Sequence, residues 1–132
     1  MLNVVVDTNI VISAAISSLG NPAKIMDLVF DEKIQAYYSP PILAEYKKVL
    51  ARKRLNIAPE VQSDIIEAIK QAGVSIEPSA SNIPMLDESD RVFYDTALES
   101  GAILITGNIK HYPTESFVMT PASFIEMYNA VP

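Results

Sequence analysis

Short aliphatic runs along the chain alternate with segments in which apolar residues recur every three or four positions. The short runs are rich in β-branched or aliphatic side chains and predict strands at residues 2–6, 34–39, 74–78, 102–106 and 116–120. The segments with helical spacing predict helices at about 8–17, 22–32, 40–50, 59–72, 87–100 and 121–129. This alternation predicts an α/β fold in which a mostly parallel central sheet of four to five strands is flanked by helices.

Residues that favour helix ends support several of these boundaries. Asn21 and Thr120, each followed by a proline, are expected to cap the second and the last helix. Asp87 is expected to open a helix that runs to Ser100, with Gly101 directly after it. No repeat, low-complexity segment or long linker divides the chain, so residues 1–132 are expected to form a single domain.

Composition narrows the class of protein. Hydrophobic residues make up 49% of the 132 residues, which is enough for a sizeable core. Cysteine is absent, so disulfides and thiolate metal sites are excluded. The first residues do not resemble a signal peptide, and no apolar run approaches the roughly 20 residues of a membrane span. We therefore expect a soluble, cytoplasmic protein.

Charge is distributed unevenly along the chain. The net charge of −6 argues against a broad nucleic-acid-binding surface. Five of the ten basic residues nevertheless lie between positions 47 and 54, and five of the sixteen acids lie between 87 and 99. Each cluster is compatible with a solvated helix face. Together they are also compatible with a basic rim beside an acidic pocket.

The first predicted strand ends in an acid, within the segment VVVDTNIVIS. A buried carboxylate without a partner costs several kcal/mol, so Asp7 needs an interaction that compensates for burial. Asp7 could cap the helix that follows the strand. Alternatively, it lies at the carboxyl end of a parallel strand, where open α/β sheets place their functional sites.

Other polar residues are predicted at the same edge of the sheet. Glu45 lies in the first turns of the helix after the second strand, Asp90 and Asp95 lie early in the helix before the 102–106 strand, and Asn108 lies just beyond that strand. Carboxylates brought together repel one another, and a divalent cation relieves the repulsion. Oxygen ligands without cysteine favour Mg²⁺ or Mn²⁺, which can activate water for attack on a phosphodiester.

Simpler interpretations of these residues remain open. Glu45 is spaced to pair with Lys48 on a helix surface. Asp87 and Asp90 have the spacing of a capping box, which would explain both without a metal. His111, the one histidine of the chain, is more typical of a surface loop than of a catalytic base.

Three segments occur in the order VVVDTNIVISA, SPPILAEYKKVL and DESDRVFYDTALESGAILITGNIKHYP. Together they resemble the PIN-domain family, and the resemblance extends from Leu2 to about Tyr128. It is closest to the toxin components of bacterial toxin–antitoxin pairs, akin to the VapC ribonucleases. The resemblance implies a three-layer fold, an acidic pocket that binds Mg²⁺ or Mn²⁺, and endonucleolytic cleavage of RNA.

Carried over by position, the resemblance implies roles for individual residues. Asp7, Glu45 and Asp90 become metal ligands and catalytic acids, with Asp95 as a second-rank site residue. The supporting positions are Thr8, Asn9, Thr106 and Asn108. Candidate phosphate contacts are Lys47, Lys48, Arg52, Arg54 and Lys110. An inhibitory antitoxin protein and a homodimer are implied as partners.

One departure from the family pattern keeps other functions open. Many family members carry a fourth acid where this chain has Asn108, and an amide adds no negative charge. The chain could therefore be a degenerate PIN-like domain that binds RNA or protein without cleavage. A phosphate-handling enzyme of receiver or haloacid-dehalogenase type also places an aspartate after its first strand. The dehalogenase type expects a second aspartate where this chain has Asn9.

Overall fold

A central parallel sheet organises the molecule, which we describe for residues 1–130 from a computed structural model. Within that range the sheet has five strands in the order β3-β2-β1-β4-β5, and every neighbouring pair is parallel. The strands are β1 (Asn3–Val6), β2 (Gln35–Tyr38), β3 (Val74–Ser75), β4 (Ile103–Ile105) and β5 (Val118–Met119). The predicted α/β class and parallel sheet are confirmed.

Six α-helices flank the sheet in the same part of the chain. They are α1 (Thr8–Ile16), α2 (Asn21–Phe30), α3 (Pro40–Leu50), α4 (Pro59–Ala72), α5 (Arg91–Ser100) and α6 (Pro121–Ala130). The chain moves from β1 through β2 to β3 in one direction and then returns across the sheet to β4. Because parallel crossovers are right-handed, α5 covers the face opposite α1–α4, and the fold has three layers.

The core lies on both faces of the central strands. Val4 and Val5 of β1 and Leu104 of β4 are fully buried, as expected of strands covered by helices on each side. Val4 pairs in register with Ile103 on one side and with Ala36 of β2 on the other. This register holds the ends of β1 and β4 next to each other.

Two helix starts differ from the prediction. Asp87 does not open the α-helix: its side chain accepts a bond from the Ser89 amide, residues 88–90 form one 3₁₀ turn, and α5 begins at Arg91. The capping-box pairing with Asp90 is therefore wrong. Asn21 is the first residue of α2 and not its cap, because Gly20 makes the preceding turn with a φ of 99°.

Other boundaries agree with the sequence. Ser39 caps α3 by accepting a bond from the Ile42 amide, and the Thr120 hydroxyl accepts one from Ser123 at the start of α6. None of the helices within residues 1–130 is both long and apolar enough to cross a membrane.

Candidate functional site

The carboxyl ends of β1 and β4 frame a cavity of about 350 Å³. Connections leave these two adjacent strands in opposite directions across the sheet, which is the position where open α/β sheets bind ligands. The polar residues of its wall come from five separate stretches of sequence: Asp7, Thr8, Asn9, Ser13, Glu45, Arg52, Arg54, Ser89, Asp90, Asn108 and His111. The topology therefore brings together acids that are far apart along the chain.

Asp7 is buried, with 8% of its surface exposed, and three donors hold its carboxylate. The Thr8 amide donates to Oδ1 at 2.8 Å. The hydroxyls of Thr106 and Tyr112 donate to Oδ2 at 2.8 and 3.1 Å. Both sequence interpretations of Asp7 are thus realised: it caps α1, and it also lies in a cavity at the end of a parallel strand.

A second set of hydrogen bonds ties the β4 exit to the β1 exit. The Asn108 amide donates to the Thr106 hydroxyl at 3.0 Å, so that hydroxyl is oriented to donate to Asp7. The Gly107 amide donates to Oδ1 of Asn9 at 3.2 Å. The predicted supporting residues therefore fix the position of Asp7.

Asp90 lies across the cavity at the start of α5. Its side chain is 17% exposed, and its Oδ2 atom is buried and has no hydrogen-bond donor in the described part of the chain. Burial and the negative charges of Asp7 and Asp87 raise the pKa of Asp90 to about 6. His111 lies 3.8 Å from the same oxygen and opposes this rise when protonated. Asp90 is thus a carboxylate whose charge is compensated only in part, by His111 when that ring is protonated.

Glu45 and two arginines complete the wall. Glu45 is half-buried and lines the cavity. In the part of the chain described, it does not form the ion pair with Lys48 that its spacing allows. Arg52 and Arg54 are exposed and border the same cavity. The basic rim beside an acidic pocket is therefore present, carried by these two residues.

The remaining predicted site residues lie elsewhere. Lys47 borders a small separate cavity next to Gln62 and Glu67, and Lys48 and Lys110 are exposed but do not line the acidic cavity. Asp95 is buried at 4% exposure and lines a different cavity on the other side of α5. The structure does not bring it together with Asp7, because five residues along a helix turn it well away from Asp90.

The carboxylates of the cavity can be compared with the ligands that a divalent cation requires. Among residues 1–130, no group of three or more acids and histidines is arranged to hold a metal ion on its own. Mg²⁺ is commonly bound by only one or two carboxylates and keeps several water molecules. Asp7 and Asp90, with one carboxylate oxygen lacking any donor, fit such a partly hydrated ion. They would hold the cation, with Glu45 on the same wall.

Two tyrosines that the sequence pattern did not single out support the site. The buried Tyr112 donates to Asp7, and the buried Tyr46 donates its hydroxyl to the carbonyl of Val6, directly before Asp7. Burial and the nearby Asp7 charge raise the pKa of both phenols well above their usual range, so both remain donors. The sequence could have indicated them, because a tyrosine among buried apolar residues still needs a hydrogen-bond partner for its hydroxyl group.

Comparison with known families agrees with this geometry. A family model described as the PIN domain matches residues 3–110, a span that contains every acid of the cavity. The chain belongs to the PIN-domain family. This PIN domain is also 41% identical, over an alignment of 143 positions, to the uncharacterized protein MJ1680 of Methanocaldococcus jannaschii, with 97% of this chain and 92% of that protein covered.

Membership in the family gives the site a general interpretation. PIN domains are generally nucleases, and the family typically uses divalent metals. The PIN match also indicates binding of nucleic acid. The cavity at the β1 and β4 exits is therefore the part of this PIN domain where such chemistry would be expected.

Proposed function

We propose that this PIN domain is a metal-dependent endoribonuclease that hydrolyses RNA phosphodiester bonds. The observation that supports it best is the convergence of Asp7, Glu45 and Asp90 on one cavity at the switch point of the sheet. The Asp90 oxygen that lacks a donor within residues 1–130 adds to this support, because burying a carboxylate costs stability and a bound cation would offset that cost. The metal is Mg²⁺ or Mn²⁺.

Each acid has a distinct part in this proposal. Asp7 and Asp90 would hold the cation, which when bound would stabilise negative charge on the phosphodiester and make water easier to deprotonate. Thr106 and Tyr112 keep Oδ2 of Asp7 in place, so the ligand does not need to reorganise. Glu45 orients the attacking water from the α3 side. Asp95 lines another cavity, and we assign it no ligand role.

Positive charge at the rim would hold the RNA backbone. Arg52 and Arg54 border the cavity and can bind phosphate through their planar guanidinium groups. Lys47, Lys48 and Lys110 lie outside the cavity wall, and we assign them to phosphates further along the strand. This local arrangement lets an acidic protein bind a polyanion at one place.

Cleavage of a mixed RNA pool tests the proposal. Purified protein is assayed with Mn²⁺, Mg²⁺ or EDTA, beside Asp7→Asn and the matched control Asp64→Asn, an exposed acid on α4. We expect cleavage only with metal, loss of cleavage in Asp7→Asn, and normal cleavage in Asp64→Asn. Full activity of a folded Asp7→Asn variant would contradict the proposed site.

Asn108 supports a second candidate function. It lines the cavity where many relatives place an acid, so the site has one negative charge fewer. In this alternative the domain binds RNA or a protein partner without cutting. Calorimetric titration of Mn²⁺ separates the two: binding tighter than millimolar that disappears in Asp7→Asn supports the nuclease, whereas no millimolar binding supports the alternative.

We further propose that the nuclease acts in the cytoplasm as the toxin of a toxin–antitoxin pair and forms a homodimer. The resemblance to toxin components supports this role. Induced expression of the wild type should stop growth, and Asp7→Asn should not. Light scattering of the purified protein at several concentrations tests the dimer, and a monomer throughout would remove that part of the proposal.

A further inference from the structure

A second cavity, of about 560 Å³, opens between the start of α3, the segment after β3, and α5. Its apolar wall includes Pro40, Pro41, Pro78 and Val92, and its charged wall includes Glu77, Glu88, Arg91 and Asp95. It shares none of these residues with the acidic cavity at the β1 and β4 exits. The nuclease proposal gives it no role.

Asp95 is the unusual residue of this wall. Only 4% of the Asp95 surface is exposed, and the Oδ2 atom of Asp95 accepts a hydrogen bond from the Ser81 backbone amide at 3.0 Å. Its Oδ1 atom is buried and accepts no hydrogen bond from any group within residues 1–130. Buried carboxylate oxygens normally accept a hydrogen bond, so a ligand with an N–H group would stabilise this oxygen.

Arg91 does not supply that donor. Its guanidinium binds both carboxylate oxygens of Glu88 at 2.6 and 2.9 Å, and it also donates to the carbonyls of Ser81 and Ile83, each at 2.8 Å. Arg91 therefore neutralises Glu88 and anchors the loop. Among residues 1–130, neither Glu77 nor Asp95 is within ion-pair distance of a basic side chain, and Arg91 acts on Asp95 only through its nearby charge.

The lining residues of this cavity favour one chemical class of ligand. Two carboxylates on one wall, those of Glu77 and Asp95, favour a cationic ligand. The proline rings and Val92 provide apolar surface between the charges, which suits an aliphatic body. A ligand with N–H donors and a short alkyl chain satisfies both features.

We propose that this cavity binds an alkylammonium or guanidinium cation, with one N–H donated to Oδ1 of Asp95 and the apolar body lying against the prolines. Two sources share this chemistry: a free aliphatic amine, and the lysine or arginine side chain of a partner protein. The site is independent of the proposed nuclease activity. Its test therefore needs neither RNA nor a divalent metal.

Calorimetry in EDTA at low ionic strength tests the proposal with three probes. Putrescine and agmatine represent free amines, and N-acetylarginine amide represents a side chain carried by a peptide. We expect one of the two kinds of probe to bind with 1:1 stoichiometry at about 1 mM or tighter, the range expected for so small a ligand. Asp95→Asn should weaken that binding by about tenfold or more, as for a hydrogen bond to a charged group.

Control variants make the result decisive. Asp64→Asn removes an exposed carboxylate on α4 that does not line this cavity, and it should leave the dissociation constant unchanged. Glu77→Gln alters an exposed residue and should weaken binding by about threefold, so it decides the matter if Asp95→Asn fails to fold. Binding of putrescine or agmatine identifies a free amine, and binding of the arginine amide alone identifies a side chain. No binding at 5 mM in about 20 mM salt, or equal binding by Asp95→Asn, would overturn the proposal.

Discussion

Replacement of Asp90 by asparagine should make the metal-free protein more stable at neutral pH. Asp90 is ionised there although burial and the charges of Asp7, Asp87 and Glu45 oppose its ionisation. Asparagine has nearly the same shape and carries no charge, so both the cost of burying the charge and the repulsion by the neighbouring acids are removed. The expected result is a gain in the free energy of unfolding at the cost of metal binding.

The magnitude follows from the pKa of Asp90, which rises from 3.8 to about 6 on folding. A shift of about two units corresponds to about 3 kcal/mol, and solvent screening of this partly exposed group reduces the gain to about 1–2 kcal/mol. Because the folded-state pKa is raised, the folded protein keeps a proton that the unfolded chain releases. Wild-type stability therefore falls as pH rises from about 4 to about 6, and the full loss is present above that window.

Urea denaturation in EDTA at pH 4 and pH 7.5 measures the effect. Asp90→Asn should exceed the wild type by about 1–2 kcal/mol at pH 7.5 and by little at pH 4, where the wild-type carboxyl is protonated when folded. Added Mn²⁺ should stabilise the wild type and not the variant.

A neighbouring acid provides the matched control. Asp87 is exposed, and bonds from the amide and hydroxyl of Ser89 lower its pKa, so Asp87→Asn should destabilise the protein at pH 7.5. The two substitutions therefore change stability in opposite directions although the residues are three positions apart. Equal stability of Asp90→Asn and wild type at pH 7.5, or the same gain at both pH values, would refute the electrostatic argument.

Four further predictions follow from single contacts. Tyr112→Phe should cost about 1 kcal/mol in urea denaturation and weaken Mn²⁺ binding several-fold in calorimetry, because Asp7 loses a donor; an unchanged affinity would deny Tyr112 a positioning role. Gly73→Ala should cost about 1–3 kcal/mol, since its Cβ would lie 2.8 Å from a backbone carbonyl, whereas Gly107→Ala, with 3.5 Å to its nearest neighbour, should cost less. Arg52→Ala should weaken RNA binding and reduce the salt slope by about 0.7, and an unchanged slope would remove Arg52 from the interface. Asn108→Asp should tighten Mn²⁺ binding several-fold in calorimetry; weaker binding would contradict the charge argument.

The fold was largely predictable because the interior strands β1 and β4 are short aliphatic runs. The run at 102–106 has no polar residue before Thr106, and it forms the interior strand β4. The run at 74–78 shrinks to Val74–Ser75, because β3 is an exposed edge strand. Local pattern could not decide how residues 87–90 fold, since an aspartate can bond the amide two or three positions ahead with similar ease.

The candidate site was predictable only where residues lie at the ends of elements. Asp7, Glu45 and Asp90 follow from strand exits and helix starts, which parallel topology brings to one edge. The placement of Asp95 depends on how α5 is rotated about its axis, and the positions of the strand ends do not determine that rotation. Tyr112 belongs to a loop whose path is set by tertiary contacts, so its bond to Asp7 could not be read from sequence.

The bond between Tyr112 and Asp7 joins residues 105 positions apart, and it has a consequence for synthesis. A ribosome releases the chain from the amino end, so Asp7 and Glu45 emerge long before Asp90 and Tyr112. Strand β1 also needs β4 as its neighbour before the two exits can face each other. A nascent chain therefore has no assembled cavity until nearly all of it has been translated. If the domain cleaves RNA as proposed, that activity would stay silent beside the messenger that encodes it until translation is almost complete.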